Sequence, residues 1–89
     1  MISKQDIKII QEVSKEYNVN KVMLFGSGLN PEKESNDIDI AVEGVSHKKF
    51  YKYYGELMLK LSKPVDVIDL SGTSKFVELI QKEGVLLYG

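Results

Sequence analysis

The sequence has 89 residues, of which 43% are apolar and 28% are charged, and its formal net charge is −1. A chain of this length is expected to form one domain, residues 1–89, with a thin core, because it buries only roughly 60–65% of its unfolded surface. The charge balance argues against direct binding to nucleic acid or to a membrane surface, and the lack of cysteine excludes disulfides and thiolate sites. No segment has the length of a membrane span or the character of a signal peptide, which predicts a soluble, cytoplasmic protein.

Hydrophobic periodicity predicts helices that alternate with strands along the chain. The predicted helices cover about residues 4–17, 47–62 and 74–83. The predicted strands cover about residues 21–25, 36–43, 65–70 and 85–88, the last as an edge strand. Between the first two strands a loop is expected, with one helical turn starting at Ser27 as the alternative, because Pro31 does not suit a sheet. This order of elements predicts a small α/β or α+β domain.

The helix ends carry recognisable capping signals. Ser3 and Asp6 resemble a capping box, and Ser46 is positioned to cap the second helix. Gly84 lies where the glycine that follows a helix is expected. The second helix is predicted to bury one apolar stripe, formed by Phe50, Tyr54, Leu57, Met58 and Leu61. Its lysines and tyrosines could also suit nucleic acid, but their helical spacing favours a packed face and a solvated face.

Two aspartates, Asp37 and Asp39, stand one residue apart in the second predicted strand. Because side chains alternate along a strand, both carboxylates point to the same face. Two such charges about 5 Å apart repel by roughly 3 kcal/mol at an effective dielectric constant near 20. A raised pKa or a bound cation would offset this repulsion, and paired carboxylates suit Mg²⁺. The alternative is two solvated acids on an open sheet face.

Gly26 and Ser27 follow the first predicted strand directly. A glycine at a strand end lets the backbone approach a ligand closely, and exposed backbone N–H groups favour phosphate. The alternative interpretation is a simple turn. The sequence contains neither a Walker P-loop nor a dinucleotide-binding glycine motif.

The third predicted strand contains two acids that face opposite ways. If Val65 and Val67 lie in the core, Asp66 emerges on the open face with Ile68, whereas Asp69 shares the valine face. Asp66 is therefore the candidate for a third carboxylate, and a surface acid at a strand end is the alternative. On the same reasoning, the open face is predicted to carry apolar groups that no helix covers and that a partner protein contacts. These groups are Ile68, Ala41 and either Met23 or Phe25.

The combined pattern of Gly26-Ser27, nine residues, Asp37-Ile38-Asp39 and a later Val65-Asp66-Val67 resembles the signature of the DNA polymerase β nucleotidyltransferase superfamily. The small size and the C-terminal segment 83–88 resemble its minimal nucleotidyltransferase branch, the antitoxin-type partners of HEPN-domain proteins. The resemblance implies a nucleotidyltransferase fold with a small mixed sheet and flanking helices. It also implies ATP as substrate and two Mg²⁺ ions.

By this resemblance, Asp37 and Asp39 hold the metals, Asp66 is the third metal-binding and catalytic acid, and Gly26 and Ser27 bind the nucleotide. The implied activity is transfer of AMP from ATP to a hydroxyl, on a tyrosine, of a HEPN toxin that forms a complex with this chain. The chain contains no arginine, whereas many minimal members carry one after the Gly-Ser pair. That difference favours the alternative of an antitoxin that acts by binding alone. Transfer to a small molecule is a third possibility, although enzymes of that kind add a second domain.

Overall fold

The structure is a computed structural model that describes residues 2–26, 36–72 and 74–89. The described helices are α1 (Lys4–Glu16), α2 (His47–Lys60) and α3 (Lys75–Glu83). The described strands are β1 (Lys21–Phe25), β2 (Ile38–Glu43), β3 (Val65–Asp69) and β4 (Val85–Tyr88). The predicted order of elements is confirmed, and the predicted turn at Ser27 lies outside the described residues. In the described part of the chain, no helix is long and apolar enough to cross a membrane.

The four strands form one mixed sheet in the order β3-β2-β1-β4. Strand β1 pairs antiparallel with both β2 and β4, whereas β2 and β3 run parallel. Parallel neighbours need a long crossover connection, which α2 supplies. The predicted mixed sheet with flanking helices is confirmed, and β3 and β4 are its two edge strands.

Helices α1 and α2 cover one face of the sheet and enclose the larger core. This core contains the inward side chains of β2 together with Val65 and Val67 of β3, so the predicted strand faces are confirmed. The side chains in it from α2 and the residue that follows this helix are Tyr53, Leu57 and Leu61. The Tyr53 hydroxyl lies 2.8 Å from the Ser14 hydroxyl, so this buried polar group has a partner. Burial raises the pKa of Tyr53 to about 12.

The buried stripe of α2 differs from the prediction in one respect. Met58 belongs to the predicted stripe, but its side chain is 60% exposed, whereas Tyr53 is fully buried. The buried positions 53, 57 and 61 follow a four-residue spacing, which rotates the buried face by about one residue from the predicted stripe. An apolar stripe that runs around most of a helix does not determine which of its residues face the sheet.

Helix α3 lies on the opposite face of the sheet, and this corrects the prediction of an uncovered apolar surface there. Ile80 of α3 packs with Met23, Ala41 and Leu70 in a second, smaller core. Ala41 is completely buried and Met23 is 6% exposed, so neither is available to a partner. The prediction failed because it placed every helix on the valine face of the sheet.

The helix caps are partly as predicted. The Ser3 hydroxyl accepts a hydrogen bond from the Asp6 amide at 3.1 Å, as in a capping box. The Asp6 carboxylate does not complete the box but accepts hydrogen bonds from the backbone amide and the hydroxyl of Ser62. Asp6 thereby connects the start of α1 to the segment that follows α2. Such long-range bonding of a capping residue cannot be read from local spacing.

Gly84 ends α3, but not in the left-handed conformation that usually explains a glycine at this place. Its φ of −71° and ψ of 163° are extended angles open to any residue. The constraint is steric, because a Cβ atom on Gly84 would lie 2.5 Å from the Ile80 carbonyl oxygen and 3.0 Å from that of Leu24. Gly84 therefore allows the end of α3 to approach β1 closely.

Gly84 and Gly55 form a matched pair for mutagenesis, because an added methyl group would meet backbone atoms at Gly84 and open space at Gly55. We expect Gly84→Ala to lower the free energy of unfolding by about 1–3 kcal/mol, because the added methyl overlaps backbone atoms. Gly55 lies inside α2, where an added Cβ atom would point into open space, so Gly55→Ala should raise stability by about 0.5–1 kcal/mol. Urea unfolding measures both. A Gly84→Ala protein as stable as wild type would contradict this account.

Candidate functional site

Three side chains form a row across the sheet at the end of β1. The strand register pairs Phe25 of β1 with Asp39 of β2, and Asp39 with Asp66 of β3. Paired residues of neighbouring strands point to the same face, so the carboxylates of Asp39 and Asp66 are direct neighbours. Two of the acids predicted from sequence are thereby brought together, on the face that also carries α3.

Asp39 is the most perturbed acid of this row. Its side chain is half-buried, and its pKa is raised by burial first, then by the negative charges of Asp66 and Asp37. Asp37 lies just before β2 and is exposed, as is Asp66. The charges of Asp37 and Asp66 therefore both act on Asp39, so the repulsion between Asp37 and Asp39 expected from the sequence is present in the fold.

Gly26 brings backbone directly against this carboxylate. A Cβ atom on Gly26 would lie 2.7 Å from Oδ2 of Asp39, and the residue has a φ of +76°, which favours glycine. Both the space and the conformation exclude a side chain at this position. The glycine and the acid that the sequence pattern indicated are thus in contact, whereas Ser27 lies outside the described residues.

Asp66 has a side-chain partner that the sequence reasoning missed. The hydroxyl of Tyr54 in α2 donates a hydrogen bond to Oδ1 of Asp66 at 3.1 Å. The helical spacing of Tyr54 predicts a place in the apolar stripe of α2 and gives no signal of a polar partner. Asp69, by contrast, accepts a hydrogen bond from the Ser71 amide at 2.8 Å, so its carboxylate organises the turn after β3.

An apolar recess borders the row on the β1 side. Phe25 and Phe76 meet edge to face with their ring centroids 6.0 Å apart. Together with Gly26 and other residues of α3 they line a cavity of about 430 Å³. This volume lies in the range of small-ligand sites. The acids are therefore flanked by an apolar recess on one side and by Tyr54 on the other.

The described residues do not by themselves form a metal cage. Among them, no group of three or more His, Asp or Glu side chains is arranged to hold a metal ion. Mg²⁺, however, is commonly bound by one or two carboxylates together with substrate phosphates. The neighbouring carboxylates of Asp39 and Asp66 have the donor chemistry for such a shared ion. The metal-binding roles of Asp37, Asp39 and Asp66 remain predictions.

A family model described as "Polymerase beta, Nucleotidyltransferase" matches residues 7–89. The chain therefore belongs to the polymerase β nucleotidyltransferase family, and the resemblance inferred from the acids and the glycine is confirmed. Comparison with curated protein sequences gives no significant match.

Solved structures with the same fold include chains of toxin–antitoxin complexes. A chain of the MntA–HepT complex has a TM-score of 0.72 and 22% identity, with 98% of this chain and 73% of that chain covered. A chain of a toxin–antitoxin structure with AMP-PNP has a TM-score of 0.73 and 23% identity, with 98% of this chain and 74% of that chain covered. A third match is a complex of a tri-AMPylated Shewanella oneidensis HEPN toxin with MNT antitoxin. Its matching chain has a TM-score of 0.69 and 25% identity, with 96% of this chain and 70% of that chain covered.

The raised pKa of Asp39 generates a prediction about stability and pH. Ionised Asp39 is disfavoured in the folded state, so the protein loses stability as pH rises from about 4, the ordinary value for Asp, through the raised folded pKa. We expect Asp39→Asn to raise the melting temperature at pH 7 and to have little effect at pH 3. Solvent screening limits the gain to less than about 1 kcal/mol, or a few °C.

Asp69→Asn is the control for this measurement. It removes the same charge, but the Asp69 carboxylate accepts the Ser71 amide hydrogen bond, so no stabilisation is expected. Thermal unfolding of both variants without metal, at the two pH values, gives the comparison. A lower melting temperature for Asp39→Asn at pH 7 would show that its carboxylate stabilises the folded chain.

Proposed function

We propose that this protein is a Mg²⁺-dependent nucleotidyltransferase that transfers AMP from ATP to a tyrosine hydroxyl of a HEPN-domain toxin. The observation that supports this most directly is the contact between Gly26 and Asp39, with Asp66 as the next carboxylate in register. In this proposal, the backbone at Gly26 supplies N–H groups for phosphate, and the neighbouring carboxylates supply oxygen ligands for a cation.

Each element of the site has a separate role in this proposal. Gly26 and Ser27 bind the triphosphate of ATP, and Asp37, Asp39 and Asp66 are the residues that would hold Mg²⁺. When bound, the metal supplies positive charge that stabilises the reacting phosphate groups and the departing pyrophosphate. Asp66 accepts the proton of the acceptor hydroxyl, whose oxygen then bonds to the α-phosphorus of ATP. The bond from that phosphorus to the pyrophosphate oxygen breaks, so AMP remains on the acceptor.

A protein acceptor and a lasting complex are supported by the structural relatives. One relative holds AMP-PNP, and another combines an MNT antitoxin with a HEPN toxin that carries AMP groups. We infer the same chemistry here, with the HEPN toxin as partner and its modification as the antitoxin function. Burial of Asp39 beside two further acids is consistent with a site that requires a cation to complete it.

The second candidate function is an antitoxin that neutralises its partner by binding without AMP transfer. One observation favours it: the chain has 12 lysines and no arginine. Lysine presents a single point charge, whereas arginine binds phosphate oxygens with two parallel hydrogen bonds. A site without arginine has fewer means of holding the triphosphate.

Co-expression with a HEPN-domain protein encoded by a neighbouring gene separates these functions. We expect size exclusion to give a stable complex and intact-mass analysis to show one or more added AMP groups on the partner. Asp39→Asn should abolish the added mass, because it removes a proposed metal-binding carboxylate. Asp69→Asn should retain activity within a few-fold, since its side chain serves the turn after β3.

The possible outcomes are distinct. A stable complex with no added mass would support the binding antitoxin and contradict AMP transfer. The absence of any complex would contradict both functions. Loss of activity in Asp69→Asn with activity retained in Asp66→Asn would contradict the assignment of the third acid.

A further inference from the structure

We infer that Tyr54 is a positioning residue that holds the carboxylate of Asp66 in the orientation needed to accept the proton of the acceptor hydroxyl. The inference rests on the catalytic role proposed above for Asp66. It concerns a residue of α2, a helix whose packed side chains otherwise belong to the opposite face of the sheet.

The position of β3 at the edge of the sheet makes this contact possible. Tyr53 and Leu57 of α2 pack on the valine face, whereas Asp66 points to the other face. No strand lies beyond β3 within the described sheet, so the long side chain of Tyr54 can pass around that edge. Its hydroxyl then reaches Oδ1 of Asp66 at 3.1 Å.

The pairing of β3 shows which groups the Tyr54 hydroxyl faces at this edge. The backbone amide of Ile38 donates to the carbonyl of Pro64, and the amide of Leu70 donates to that of Val42. The even-numbered residues of β3 therefore pair with β2, and the amide of Val67 points outward at the free edge. Burial and the Asp66 carboxylate raise the pKa of Tyr54, and the backbone of Val67 lowers it, which agrees with an outward amide near this hydroxyl. Because a carboxylate accepts and has no proton to donate, the single proton of the Tyr54 hydroxyl is directed to Asp66.

The tyrosine ring is itself held in place. It is half-buried and lies edge to face against Phe50, with the ring centroids 6.3 Å apart. A fixed ring whose hydroxyl donates to Asp66 restrains a carboxylate that is otherwise exposed. With Oδ1 engaged by Tyr54, Oδ2 is left for the acceptor hydroxyl. Residues that orient a functional carboxylate in this way commonly contribute tenfold or more to activity.

Tyr54→Phe tests the inference because it removes the hydroxyl and retains the ring. In the AMP-transfer assay with the HEPN partner, we expect kcat to fall about tenfold while KM for Mg-ATP stays within about twofold. Independently of activity, the carboxyl carbon of Asp66 should shift in NMR spectra, because it loses the Tyr54 hydrogen bond. Binding of Mg-AMP-PNP, measured by calorimetry, should change by less than about threefold, since Tyr54→Phe leaves Asp66 charged and leaves Asp37 and Asp39 unchanged.

Tyr51→Phe is the matched control, since it makes the same change one turn earlier in α2 on a side chain that is 83% exposed. It should leave kcat unchanged. If Tyr54→Phe retains wild-type kcat although the Asp66 carboxyl signal has shifted, the inference is wrong. If it lowers kcat, nucleotide affinity and melting temperature together, Tyr54 is merely structural and the inference is also wrong. A wild-type protein that transfers no AMP would overturn the proposed function and this inference with it, a result distinct from an active Tyr54→Phe.

Discussion

The site depends on the register of β2, the central strand that carries Asp39. Ile38, Ile40 and Val42 of this strand are buried beneath α1 and α2, and this burial fixes the direction of the intervening side chains. A shift by one residue would expose the three apolar groups and bury the carboxylate, so the hydrophobic core maintains the acid in place. The core on one face thereby sustains an electrostatically unfavourable arrangement on the other, where Asp66 and Asp37 act on Asp39.

The second face of the sheet is divided between packing and function. One row, which includes Met23 and Ala41, is covered by Ile80 of α3. The next row contains Asp39 and Asp66, which keep access to solvent. Helix α3 thus gives the thin domain a second core without covering the acids. Two glycines allow this close packing, because neither has a side chain: Gly26 lies against the carboxylate of Asp39, and Gly84 lies against the backbone of β1.

Much of this arrangement could be predicted from the sequence, because local periodicity determines the elements and the faces of the strands. The placement of Asp39 with Asp66, and of both opposite the valines, follows from the two-residue repeat of a strand. The side of the sheet on which α3 packs does not follow, since an amphipathic helix suits either face. The contact of Tyr54 with Asp66 could not be predicted for a similar reason, because it exists only where β3 forms an edge. Tertiary context decided both features.

The most direct test of a shared nucleotide and metal site is NMR of the ¹⁵N-labelled chain during titration with Mn²⁺ in the presence of AMP-PNP. Mn²⁺ prefers the same oxygen ligands as Mg²⁺ and broadens signals of nearby nuclei. We predict that the amides of Gly26, Asp39 and Asp66 broaden first and together. Broadening that begins instead at the acids of α1, such as Glu12 and Glu16, or that spreads evenly over the surface, would contradict a metal and nucleotide site at the row of acids.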